Sequence, residues 1–193
     1  PVWLVVGAFE SDTPPNSKFP FRYPTPMQLR GMVYTGIIHG ATGITYDAWD
    51  SNITRFGMAP DIRTEIPGRP RATTIQAITA KALWDMAAAV NRELQELTPA
   101  ILSPTVGDEA GYHVSFEGTA ITPSPLRTLL KHKPNGGFVL ITVNMDNTVI
   151  TGQFEFDQSP GQPKLMFGGK NEILLDKNGR SFTLSYEPVE VKV

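Results

Sequence analysis

The chain has 193 residues, of which 40% are apolar, 9% aromatic and 19% charged. That is enough for one large or two small domains at roughly 100 to 200 residues each, and far too apolar for a disordered segment. A net charge of −2, from 17 basic against 19 acidic residues, leaves no electrostatic footprint for nucleic acid or an anionic membrane. The absence of cysteine excludes a disulfide framework, a thiolate metal site and a cysteine nucleophile.

The chain opens on Pro1-Val2-Trp3-Leu4-Val5-Val6, a β-branched apolar run extending to Phe9. It is too short to span a bilayer, which takes about 20 residues, so no membrane partner is expected. A continuously apolar strand of this kind is expected to be buried on both faces in a parallel sheet. With no polar lead-in, it reads as the middle of a structure, and the chain as a piece of a longer or nicked protein.

Glu10 to Thr25 carries four prolines and is expected to be loop. Thr25-Pro26 then reads as an N-cap followed by proline at the first helical position. Met27, Arg30, Val33, Tyr34, Ile37 and Ile38 follow at helical spacing, and Gly40 closes the helix. Gly43 to Trp49 is expected to be a strand and Asp50 to Arg71 a second long loop. Thr73 or Thr74 caps a helix reaching about Leu97, with Ile75, Ile78, Ala82, Met86, Val90, Leu94 and Leu97 as its apolar stripe and Pro99 and Pro104 ending it. Strand, helix, strand, helix makes two β/α units with parallel strands.

From Tyr112 onward the grammar is that of short alternating strands: 112–117, 126–132, 138–144, 149–156, 164–167, 172–175, 181–186 and 189–193. Pro134-Asn135-Gly136-Gly137, Asn144 to Asn147 and Lys177-Asn178-Gly179 are turns between them. These features predict two domains, 1–105 and 106–193, the second an antiparallel β-sandwich.

Functional groups in parallel α/β architectures gather at the carboxyl ends of strands. Two places qualify. Glu10 follows the first strand, with Arg22 and Tyr23 in the loop beyond it. Tyr46, Asp47 and Trp49 end the second strand, ahead of a loop containing Arg55, Arg63, Arg69 and Arg71. Tyr46 and Asp47 alternate across the strand, so at most one faces the site, and Asp47 shares the face of Trp49. His39 precedes Gly40 at a helix C-terminus, where a cation or capping donor is favourable, and His113 and His132 lack acidic partners at metal-ligand spacing; neither a metal nor another cofactor is expected.

The run PVWLVVGAFES, then YPTPMQLRGMVYTGIIHGATGITYDAW, a long helix ending NRELQELTPAIL and a terminal SFTLSYEPVEVKV resemble the last quarter of a glycoside-hydrolase-type (β/α)8 barrel of the broad retaining clan, with its C-terminal β-sandwich. The resemblance implies a fold of two final TIM-barrel β/α units followed by a sandwich, and hydrolysis of glycosidic bonds. It casts Glu10 as the nucleophile and Trp49 as the floor of the sugar subsite, with Asp47, Tyr46, Tyr23 and Arg22 contacting substrate. The general acid would lie on a missing strand, so this chain alone would be inactive. Its partners would be a carbohydrate and the remainder of the barrel, from the same protein or another chain, in a secreted or periplasmic setting.

Other readings stand beside these. Glu10 is a solvated loop carboxylate if the strand ends at Gly7 or Ala8, since one residue of shift turns a side chain to the other face. Trp49 equally serves packing, and Asp47 an ion pair with a loop arginine. For the whole chain the rivals are a non-catalytic carbohydrate-binding module and a structural remnant. Phe138, Phe154, Phe156, Phe167 and Phe182 fall at core-like alternating positions, which argues against an aromatic binding strip on the sandwich.

Overall fold

A computed structural model describes residues 1–11, 22–47, 55–59, 72–106, 112–117, 124–167 and 173–193. Trp49 and the arginine-rich stretch Arg63 to Arg71 lie outside them. The chain divides into two compact units, one comprising residues 1–36 and 40–94 and the other residues 37–39 and 95–193, so the division falls inside the long helix.

In the first unit β1 (Trp3–Gly7) pairs in parallel with β3 (Gly43–Asp47), in a register running from Trp3 opposite Gly43 to Gly7 opposite Asp47. The crossover is α1 (Pro26–Ile38). Its start is a capping box: the Gln28 amide donates to Thr25 Oγ1 at 3.1 Å and the Thr25 amide to Gln28 Oε1 at 2.9 Å. Its end is a Schellman closure in which Gly40, at φ 92°, lets the Ala41 amide reach back to the Gly36 carbonyl at 2.9 Å. Leu29, Val33, Tyr34 and Ile37 form its buried face. The Leu4 side chain lies so close over Gly36 that a β-carbon there would collide with it.

The second helix, α2 (Thr74–Ile101), begins on an identical box, Thr73 with Gln76 at 3.2 and 2.8 Å. Its buried seam is Ala80, Leu83, Ala87, Val90, Leu97 and Ala100, whereas Ile75 and Ile78 of the expected stripe are exposed. Pro99 does not end it. Proline removes only the bond from its own nitrogen, and the last turn survives because Leu102 still donates to the Thr98 carbonyl at 3.0 Å.

Between the helices lie Arg30 and Tyr34 of α1 and Glu93 of α2. Arg30 Nε and Nη2 each approach Glu93 Oε2 at 3.0 Å, and Tyr34 Oη donates to the same oxygen at 2.7 Å. The Arg30 guanidinium also lies over the Tyr34 ring, 5.0 Å from its centroid.

The second unit holds two three-stranded antiparallel sheets, ordered β10-β7-β6 and β5-β8-β9. The strands are β5 (Tyr112–Glu117), β6 (Leu126–His132), β7 (Phe138–Asn144), β8 (Ile150–Phe156), β9 (Ser181–Tyr186) and β10 (Val191–Lys192). Leu126, Ile150, Phe154, Ile173, Phe182 and Tyr186 form one apolar cluster drawn from both sheets, with the Phe154 and Phe182 rings stacked at 5.1 Å. Tyrosines of one sheet bond threonines of the other. Tyr112 Oη donates to Thr128 Oγ1 at 2.7 Å. Thr142 Oγ1 donates to the Lys192 carbonyl at 3.0 Å, so the 2.8 Å contact with Tyr186 Oη has the tyrosine as donor. Of the expected strands at 164–167 and 172–175, the described residues 164–167 and 173–175 form no regular strand, and Leu175 makes an isolated bridge to Phe182.

The expected fold class requires correction. The chain does not form the last two β/α units of a TIM-type barrel. Among the described residues there are two helices and four small sheets, three of them antiparallel, and the single parallel pairing stops at two strands without closure. A barrel stave needs a hydrogen-bonded neighbour on each side. Nor is β1 buried on both faces: Leu4 and Val6 turn inward, while Trp3 and Val5 are 68% and 62% exposed. The Trp3 indole lies across Gly43, where a β-carbon would come within 2.7 Å of the ring.

Candidate functional site

The first strand stops at Gly7, but Glu10 is not left in open loop. Glu10–Ser11 (β2) pairs antiparallel with Arg55–Phe56 (β4), Glu10 standing opposite Phe56, so the segments following the two parallel strands are tied by a short ladder. The Glu10 carboxylate is half-buried, and Gln76 Nε2 donates to its Oε1 at 3.2 Å. Because Gln76 Oε1 is already held by the Thr73 amide of the capping box, the amide nitrogen is left to face Glu10. The helix cap thus orients one carboxylate oxygen and leaves the other unengaged by that amide.

Tyr23 is brought to the same place. It is 6% exposed, and its hydroxyl donates to the Gly57 carbonyl at 2.9 Å. Burial pushes its phenol well above the usual tyrosine range, and the neighbouring Glu10 carboxylate adds to that push, because a second negative charge beside the first is unfavourable. Arg22 is exposed, its guanidinium 3.5 Å from the Tyr23 carbonyl.

The remaining positions divide. Tyr46 shares the inward face of buried Val6, and its hydroxyl donates to Asn91 Oδ1 of α2 at 3.1 Å. Burial raises this phenol too. Its hydroxyl is thus taken up by α2. Asp47 closes β3 opposite Gly7, half-buried, and its carbonyl accepts from the Ala8 amide. Trp49 lies outside the described residues, so the expected sugar platform has no structural account.

The structure therefore assembles Glu10, Tyr23 and Gln76, of which Gln76 went unnoticed in the sequence. Its signal was present in Thr73-Thr74-Ile75-Gln76, the same Thr-x-x-Gln spacing as Thr25 to Gln28. Among the described residues no three His, Asp or Glu side chains are grouped to hold a metal ion, and no helix is long and apolar enough to cross a membrane. No family model, curated protein or solved structure matches this chain.

Proposed function

We propose that the first unit carries the nucleophile of a glycosidic-bond-hydrolysing site, with Glu10 as that nucleophile. The observation that carries the reading is the Glu10 carboxylate beyond the carboxyl end of a parallel strand, with one oxygen engaged by Gln76 and the Tyr23 phenol nearby. In this reaction the oxygen not held by Gln76 attacks the anomeric carbon as the bond to the leaving oxygen breaks. A protonated carboxyl about 5 to 5.5 Å away gives its proton to that oxygen, and then deprotonates the water that releases the sugar. Glu10 cannot fill both roles. The proton donor falls to a further polypeptide segment, from the same protein or another chain, so this chain by itself should not cleave unactivated glycosides.

An activated leaving group removes the need for the acid, which makes the nucleophile testable alone. The 193-residue chain is incubated with fluorosugars of the common hexoses and pentoses bearing dinitrophenolate, and followed by mass spectrometry. The expected result is a single glycosyl adduct mapping to Glu10, absent in Glu10→Gln. No adduct across the set, or one on another residue, overturns the assignment.

A further inference from the structure

We infer that the β-sandwich carries a saccharide-binding cleft of its own, built on His132 and Phe138. The carbohydrate class rests on the function proposed above; the cleft itself rests on independent geometry.

Phe138 departs from its expected core position. It is 47% exposed, although it shares its strand face with Leu140 and Thr142, which look into the sandwich. The reason lies in the turn. Gly136 and Gly137 take φ of 88° and 79°, and the Lys133 amide bonds the Gly137 carbonyl at 2.9 Å, so Phe138 emerges directly opposite His132 on the last rung of the ladder. The two rings lie 5.2 Å apart at 44°. Ser103 Oγ, donating to the His132 carbonyl, pins the backbone beneath them.

These rings wall a cleft of about 430 Å³ that also takes in Phe156 and the segment Asp157-Gln158-Ser159. That volume falls within the roughly 300 to 1,000 Å³ of small-molecule sites. Phe156 is held in place by ring contacts with Tyr112 at 5.6 Å and Phe182 at 5.9 Å, so one wall is rigid. Among the described residues, the Asp157 carboxylate and the Gln158 amide make no side-chain hydrogen bond, and Ser159 Oγ only accepts, from the Gly161 amide at 3.4 Å. An aromatic surface beside a carboxylate, an amide, a hydroxyl and an imidazole matches a pyranose. The apolar C–H face packs on the rings while the hydroxyls find both donors and acceptors. Asp157 and Gln158 are exposed at the rim, where they are free to exchange water for ligand hydroxyls, and with Asp157 the charged side chain among these lining residues, an anionic ligand is disfavoured.

The test titrates the full chain with cellohexaose, mannohexaose, xylohexaose and chitohexaose, using calorimetry and amide chemical-shift mapping. At least one is expected to bind, with shifts centred on His132, Phe138 and Asp157 to Ser159, and with equal affinity in Glu10→Gln. Phe138→Ala should weaken binding about tenfold or more while leaving fluorosugar labelling of Glu10 unchanged. Asp157→Ala, at an exposed position, serves as the second variant and should weaken binding without touching the fold. No binding by any of the four, or undiminished binding in both variants, overturns the inference. Labelling at Glu10 with no cleft binding would sink this proposal alone, and cleft binding with no labelling would sink the hydrolase alone.

Discussion

Glu93 offers the sharpest test of what fastens α1 to α2. Its Oε2 receives two Arg30 donors and the Tyr34 hydroxyl, and the Arg30 and Glu93 side chains retain only 10% and 18% exposure. Glu93→Gln preserves shape and at least one acceptor but removes the carboxylate charge on which the Arg30 guanidinium and the Tyr34 hydroxyl converge. Removing one partner of a buried pair costs about 3 to 5 kcal/mol. Since both groups keep some contact with water, the low end applies, about 3 kcal/mol. At about 2 to 4 °C per kcal/mol for a chain of this size, the transition of the first unit should fall by about 6 to 12 °C in calorimetry. Replacing both partners, Arg30→Met with Glu93→Met, should recover much of the loss, because no charge is then stranded. A Glu93→Gln transition within about 1 kcal/mol of the parent, or a double variant less stable than the single, refutes the reasoning.

Two further outcomes follow from backbone and phenol geometry. Burial raises Tyr34, Tyr23 and Tyr186 above the ordinary phenol value of 10.0, with Glu93 reinforcing Tyr34, Glu10 reinforcing Tyr23 and Glu190 reinforcing Tyr186. The folded state therefore holds these protons more tightly than the unfolded state. Their contribution is complete below about pH 10 and is lost as pH climbs beyond it, by up to about 1.4 kcal/mol per pH unit for each phenol. Urea unfolding from about pH 9 to 11.5 should show that decline, shallower in Tyr34→Phe; a flat profile contradicts it. Val189, a β-branched residue at φ 60°, pays a steric cost that glycine avoids, so Val189→Gly should raise the urea midpoint by about 1 kcal/mol equivalent, and a loss of stability would show the backbone to be unstrained there.

Local chemistry was the legible part of this sequence. Thr25-Pro26 at the start of α1, Gly40 after it, and the glycines at 136, 137 and 179 act through bonds spanning three to five residues, and each does in the structure what its position implies. The buried seam of α2 was not legible in the same way. Two rows of its residues have helical spacing, one richer in isoleucine and one in alanine. The alanine-bearing row through Ala80, Leu83 and Ala87 is the buried one, because close packing rewards small side chains that hydropathy ranks low. Phe138 misled for a related reason: alternation correctly fixed its face of β7, but its exposure depends on its place at the strand end, which no period encodes.

The candidate site shows the same divide at a finer scale. A strand-end rule located Glu10, yet that rule assumes the strand runs up to the carboxylate, and β1 stops three residues short. What orders Glu10 instead is a two-residue ladder to Arg55–Phe56 and an amide from a residue 66 positions later in sequence. The amide's direction is set by a helix cap, a motif ordinarily credited with stability alone. If that coupling matters to chemistry, Gln76→Glu, which can still close the cap box, should preserve α2 while placing a second carboxylate against Glu10. Fluorosugar labelling should then fall and acquire a dependence on protonation of the new pair. Labelling unchanged in rate and pH profile would mean that Gln76 caps its helix and nothing more.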